Sequence, residues 1–93
     1  MKPIQVTSPN ILLKQAHTFC NGQKLDYTLF GNGEGRWDRF RIAVQGFGEE
    51  QSCEFASDLF FALQLFERLV EGIVPPCTLS EIVRDQLETA TQT

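Results

Sequence analysis

Residues 19–30 read Phe19-Cys20-Asn21-Gly22-Gln23-Lys24-Leu25-Asp26-Tyr27-Thr28-Leu29-Phe30, and this stretch decides the fold. Asn-Gly is the dipeptide a type I′ turn requires, because both central residues need positive φ. Leu25, Tyr27 and Leu29 alternate with Lys24, Asp26 and Thr28, which is the period of a strand with one buried face. Leu12 to Cys20 can pair back across the turn. A two-residue turn sets Cys20 opposite Gln23, Thr18 opposite Leu25, Ala16 opposite Tyr27 and Lys14 opposite Leu29. On the other face it sets His17 opposite Asp26 and Leu13 opposite Phe30.

The pattern continues downstream. Gly31-Asn32-Gly33-Glu34-Gly35 forms a second turn. From Trp37 to Phe47, the residues Phe40, Ile42 and Val44 alternate with Arg39, Arg41 and Ala43, and Trp37 falls with the arginines. Gly46 to Glu50 makes a third turn. Ser52 to Phe55 is a short strand with Cys53 and Phe55 inward. Short turns between consecutive strands imply an antiparallel meander over residues 11–56.

At Ser57 the apolar period changes from two to 3.6. Leu59, Ala62, Leu63, Phe66, Leu69 and Val70 form a broad stripe on a helix over 57–72, capped by Ser57. Gly72 ends it, and Pro75-Pro76 prevents an immediate restart. Thr78-Leu79-Ser80-Glu81 is a capping box for a shorter helix over 78–88, with Ile82, Val83 and Leu87 on one side. Residues 89–93 form a frayed tail. Residues 1–10 form an extended arm, with Ile4-Gln5-Val6 as a short edge strand. The expected fold class is therefore α+β: a four-stranded antiparallel β-meander packed by a C-terminal long helix and a shorter second helix, all in one domain.

Ninety-three residues bury roughly 60–65% of their unfolded surface, enough for one core. The net charge of −4 disfavours nucleic acid and anionic membranes as partners. No apolar run reaches the ~18 residues a bilayer span needs. The N-terminus has no apolar run of the kind a secretory signal carries, which suggests a cytoplasmic protein. Cys20, Cys53 and Cys77 are widely spaced and odd in number, so neither a disulfide framework nor a zinc site is expected.

Five constellations bear on function. The glycine cluster at 31–35 precedes a strand rather than a helix, so it is a hairpin turn and not a phosphate cradle. Arg36-Trp37-Asp38-Arg39-Phe40-Arg41 is the one basic, aromatic run, and a sheet face of this kind can hold single-stranded nucleic acid. Alternation leaves only one aromatic there, so a solvated strand face is the stronger reading. His17, Asp26 and Cys20 suggest a thiol triad, but an odd offset sends Cys20 and His17 to opposite faces. The acidic cluster Glu49, Glu50 and Glu54 has no companion ligands and reads as solvated charge. Phe61 and Leu65 lie one turn apart, off the main stripe. Either the second helix covers them, or they form an exposed patch that marks a partner or a dimer interface.

The second half of the chain carries a resemblance. Tyr27-Thr28-Leu29, the Phe40–Val44 strand, Leu69-Val70-Glu71-Gly72, Val74-Pro75-Pro76 and Ile82-Val83-Arg84-Asp85-Gln86-Leu87 make it similar to a group of short bacterial proteins of the Firmicutes type. No activity is assigned to that group. The resemblance implies a bacterial, cytoplasmic setting and gives no catalytic residue, cofactor or metal.

The sequence thus points to a non-enzymatic protein–protein interaction or regulatory module, with a homodimer as one form. Its candidate contact residues are Phe61, Leu65, Trp37, Arg39 and Arg41. A nucleic-acid-associated module and a small thiol enzyme are the alternatives.

Overall fold

A computed structural model describes residues 11–33 and 37–91 of the chain. The expected N-terminal arm at 1–10, Arg36 and the last two residues lie outside the described residues. Strands β1 (Ile11–Cys20), β2 (Gln23–Gly31), β3 (Arg39–Gly46) and β4 (Glu49–Ala56) form one antiparallel sheet in the order β1-β2-β3-β4. Helix α1 (Leu59–Glu71), a 3-10 turn (Pro76–Thr78) and helix α2 (Leu79–Thr91) follow. The chain is an α+β meander, as its periodicity implies.

The first hairpin closes on Asn21 and Gly22, with φ of 54° and 78°. Its register sets Cys20 opposite Gln23, Thr18 opposite Leu25, Ala16 opposite Tyr27 and Lys14 opposite Leu29. Beyond Lys14 it slips. A bulge at Leu13 puts Leu12, not Leu13, opposite Phe30, and Leu13 turns inward against the core. The third turn is narrower than expected. Phe47 and Gly48 take φ of 52° and 73°, so Gly46 pairs directly with Glu49 and β4 gains three residues at its start.

One face of the sheet carries the core. Leu25, Tyr27 and Leu29 of β2 and Phe40, Ile42 and Val44 of β3 are fully buried, and Phe55 of β4 joins them. Backbone pairing stacks Tyr27 beside Val44 and Leu29 beside Ile42, so the two central strands present one continuous apolar floor. Helix α1 lies over β1 and β2, while the 3-10 turn and α2 lie over β3 and β4. The two helices divide this single face between them.

The junction between them is anchored from below. The Tyr27 hydroxyl, deep in the core, donates to the Val74 carbonyl at 2.9 Å. Burial above all, with the nearby Cys20 thiol, pushes the phenol pKa above its ordinary value, so the group stays a neutral donor.

Helix α1 departs from expectation at its start and in the way its end is closed. Asp58, not Ser57, is the N-cap and accepts from the Phe61 N–H at 2.7 Å. Gly72 is right-handed, and Ile73 takes the left-handed position at φ 52°. The Ile73 N–H reaches the Val70 carbonyl at 3.1 Å and the Val74 N–H reaches Leu69 at 3.2 Å. Those two bonds make a Schellman motif, with Leu69 and Val74 both buried as its apolar contact. The helix thus stops at Gly72 as expected, but the left-handed turn falls one residue later, which delivers Val74 onto Tyr27. Both helices have 13 residues, so the second is not the shorter and it runs past Glu88 to Thr91. Thr78 does not begin α2 as a capping residue; it sits in the 3-10 turn, its hydroxyl 3.4 Å from the Pro75 carbonyl.

A β-branched residue in left-handed backbone costs roughly 1–2 kcal/mol. Ile73→Gly removes that strain from a side chain that is partly exposed. The expected outcome is a gain of about 0.5–1 kcal/mol in urea unfolding, and a loss of stability would contradict the Schellman geometry.

Candidate interaction surface

The helix layer takes up most of the apolar surface that the sequence offers for binding. Leu65 is 2% exposed and belongs to the core, and Phe61 is half-buried against it. Helix α2 shares that core and is tied to α1. Val83 is fully buried, Ile82 and Leu87 pack against the core, and the Arg68 guanidinium donates to the Gln86 side-chain oxygen at 2.8 Å. Helix α1 is rolled toward Leu65, which leaves Leu59, Leu63 and Val70 of the expected stripe only half-buried. Leu65 is thus corrected from a contact residue to a core residue.

Trp37 also changes sides. Strand β3 begins at Arg39, so the alternation does not reach Trp37. A side chain at Gly31 would meet the indole ring at 2.8 Å and the Leu13 Cδ1 at 2.9 Å. Gly31 shares the inward face with Leu25, Tyr27 and Leu29, so the ring packs toward the core and away from the arginines. The loop that carries it is clipped by Asn32, whose amide donates to the Asp38 carboxylate at 2.8 Å while its backbone N–H reaches the Arg39 carbonyl at 3.2 Å.

Among the described residues the other face of the sheet has no helix on it. Arg39 and Arg41 stand there as expected, but both are engaged. Arg39 lies 3.8 Å from Glu54, and the Arg41 guanidinium sits 4.2 Å from the Phe30 ring centre. Lys24 lies 3.7 Å from Asp26. The basic side chains of this face are thus interleaved with acidic ones, with Glu50 adding another on β4. A shallow depression near the Phe47–Gly48 turn, lined by Lys24, Asp26, Gln45, Glu49 and Glu50, has the same mixed charge. Among the described residues no free basic track for a phosphate backbone results.

The thiol constellation does not assemble. His17 and Asp26 are opposite in register, but the His17 ring meets the Phe19 ring edge-on at 5.9 Å. Cys20 lies on the inward face with Ala16. Cys53 is half-buried under α2, and burial pushes its thiol pKa up despite Ser80 and Arg84 nearby. Among the described residues no group of His, Cys, Asp and Glu could hold a metal ion, and no helix is long and apolar enough to cross a membrane.

Apolar exposure concentrates where the sequence reading did not place it. Ile11, Leu12 and Phe19, all on β1, are 43%, 54% and 60% exposed, and Phe60 on α1 is 70% exposed. Among the described residues, strand β1 is also an open edge of the sheet. A meander always leaves its first strand at an edge, and β1 carries one full charge in ten residues, so both signals were present in the sequence. No protein-family model matches the chain, and no curated protein or solved structure matches it either.

The thiol environments set an order of reactivity. Cys77 is exposed, Cys20 is half-buried, and Cys53 is half-buried with a raised pKa. Alkylation near pH 8, followed by peptide mass mapping, is expected to label Cys77 first and Cys53 last. Labelling of Cys53 ahead of Cys77 would contradict the packing of α2 on β4.

Proposed function

We propose that this chain is a non-enzymatic protein–protein interaction or regulatory module that works through the β1 edge and the adjoining uncovered face of the sheet. The observation that carries the reading is that β1, which pairs on one side only among the described residues, exposes Ile11 and Leu12 at one end and Phe19 at the other. Exposed apolar side chains beside free backbone N–H and C=O groups suit a partner that adds a strand.

The setting belongs to the same proposal. Three free cysteines fit a reducing compartment such as the bacterial cytoplasm. The ion pairs of the arginine face weigh against nucleic acid, and the separation of His17 from Cys20 weighs against a thiol enzyme.

Crosslinking in extract of the cells that make the protein tests the reading. The expected result is an adduct with a polypeptide, lost in Leu12→Lys/Phe19→Lys and kept in Arg39→Ala/Arg41→Ala. In parallel, a fluorescent single-stranded oligonucleotide should remain unbound. Salt-sensitive oligonucleotide binding that disappears in the double-arginine variant would overturn the reading in favour of nucleic acid.

A further inference from the structure

We infer that the strand accepted by β1 is β1 of a second copy, paired antiparallel about a twofold axis, with the outer flank of α1 closing over the seam. This inference rests on the reading of the β1 edge as a contact surface and goes further by naming the occupant.

The first argument is charge. The two edges of the sheet differ sharply. Strand β4 carries Glu49, Glu50 and Glu54, which blunt its edge against pairing. Strand β1 carries Lys14 and His17, and Lys14 is already bound to Glu67 of α1. For a chain of net charge −4, self-association costs least along the one edge that has no acid on it. Two β1 strands meet with no carboxylate facing carboxylate on the strands themselves.

The second argument is the helix above that edge. The contact between Lys14 and Glu67 places the Glu67 flank of α1 on the β1 side. Phe60, Leu63 and Val70 lie seven before, four before and three after Glu67, so all three share that flank. Phe60 is exposed and the other two are half-buried. An antiparallel twofold pairing therefore continues both layers at once. The two sheets join through β1 backbone hydrogen bonds, and the two α1 flanks cover each other with apolar side chains. A strand is its own complement in such a pair, which makes the closed dimer the natural outcome of an isologous contact.

The test uses the whole chain and light scattering over about 5–200 μM. The expected mass is twice 10.5 kDa for the wild type. Phe19→Lys places a charge on the edge, and Phe60→Glu places one on the helix flank. The first site is 60% exposed, and an acid in the first turn of α1 suits the helix dipole, so both variants should stay folded by circular dichroism. Each is expected to weaken dimerisation at least tenfold. A second readout needs no variant: amide exchange along β1 should slow as wild-type concentration rises.

A wild type that stays at 10.5 kDa throughout would overturn self-pairing, while the crosslinking in extract would still decide whether the edge serves another protein. A dimer indifferent to both substitutions, or one without protection along β1, would place the interface elsewhere and overturn the inference. A mass that climbs without limit would mean open-ended β1-to-β4 pairing and would overturn it equally.

Discussion

The hydrogen bond from the Tyr27 hydroxyl to the Val74 carbonyl is the constraint on which the rest of the structure depends. Tyr27 stands on the second strand, in the middle of the apolar floor. Val74 is the residue at which the chain leaves α1 and turns toward the 3-10 segment. The bond therefore fixes where the helix layer changes direction. A buried carbonyl at that junction needs a donor, and an unmet one costs about 1–3 kcal/mol. With the junction held over β2, α1 falls over β1 and β2, and the 3-10 turn and α2 fall over β3 and β4.

That division explains what is left free. Both helices occupy one face, so the opposite face has no cover among the described residues. The meander leaves β1 and β4 as edges, and their sequences treat those edges differently. Acidic residues protect β4. Apolar residues and a bulge mark β1. The surface open to a partner is thus a consequence of the same anchoring that builds the core.

Most of the fold was legible in the sequence because its signals are local. Asn21-Gly22 set a turn, the turn set a register, and Leu25, Tyr27 and Leu29 set the buried face. The errors arose where tertiary packing overrode local pattern. Trp37 was assigned by alternation, but β3 begins two residues later and the indole packs over Gly31 instead. Leu65 lies off the main stripe in the sequence pattern, yet it is buried in the core that both helices share. Gly72 caps α1 as its position implies, but the left-handed residue that closes the cap is Ile73, despite its branched side chain. None of these is encoded within a few residues. The candidate surface was harder still, because exposure on β1 depends on knowing which side chains the helices claim first.

Amide hydrogen exchange of the wild type and Tyr27→Phe, followed residue by residue, tests this anchoring most directly. In the wild type the Val74 N–H, bonded to the Leu69 carbonyl, should exchange with the same opening free energy as the central amides of β2 and β3, since the junction and the sheet form one cooperative unit. Loss of the hydroxyl should bring Val74 to faster exchange than the central strands. A Val74 amide that already exchanges far faster than β2 in the wild type, unchanged by Tyr27→Phe, would contradict the anchoring and detach the helix layer from the sheet.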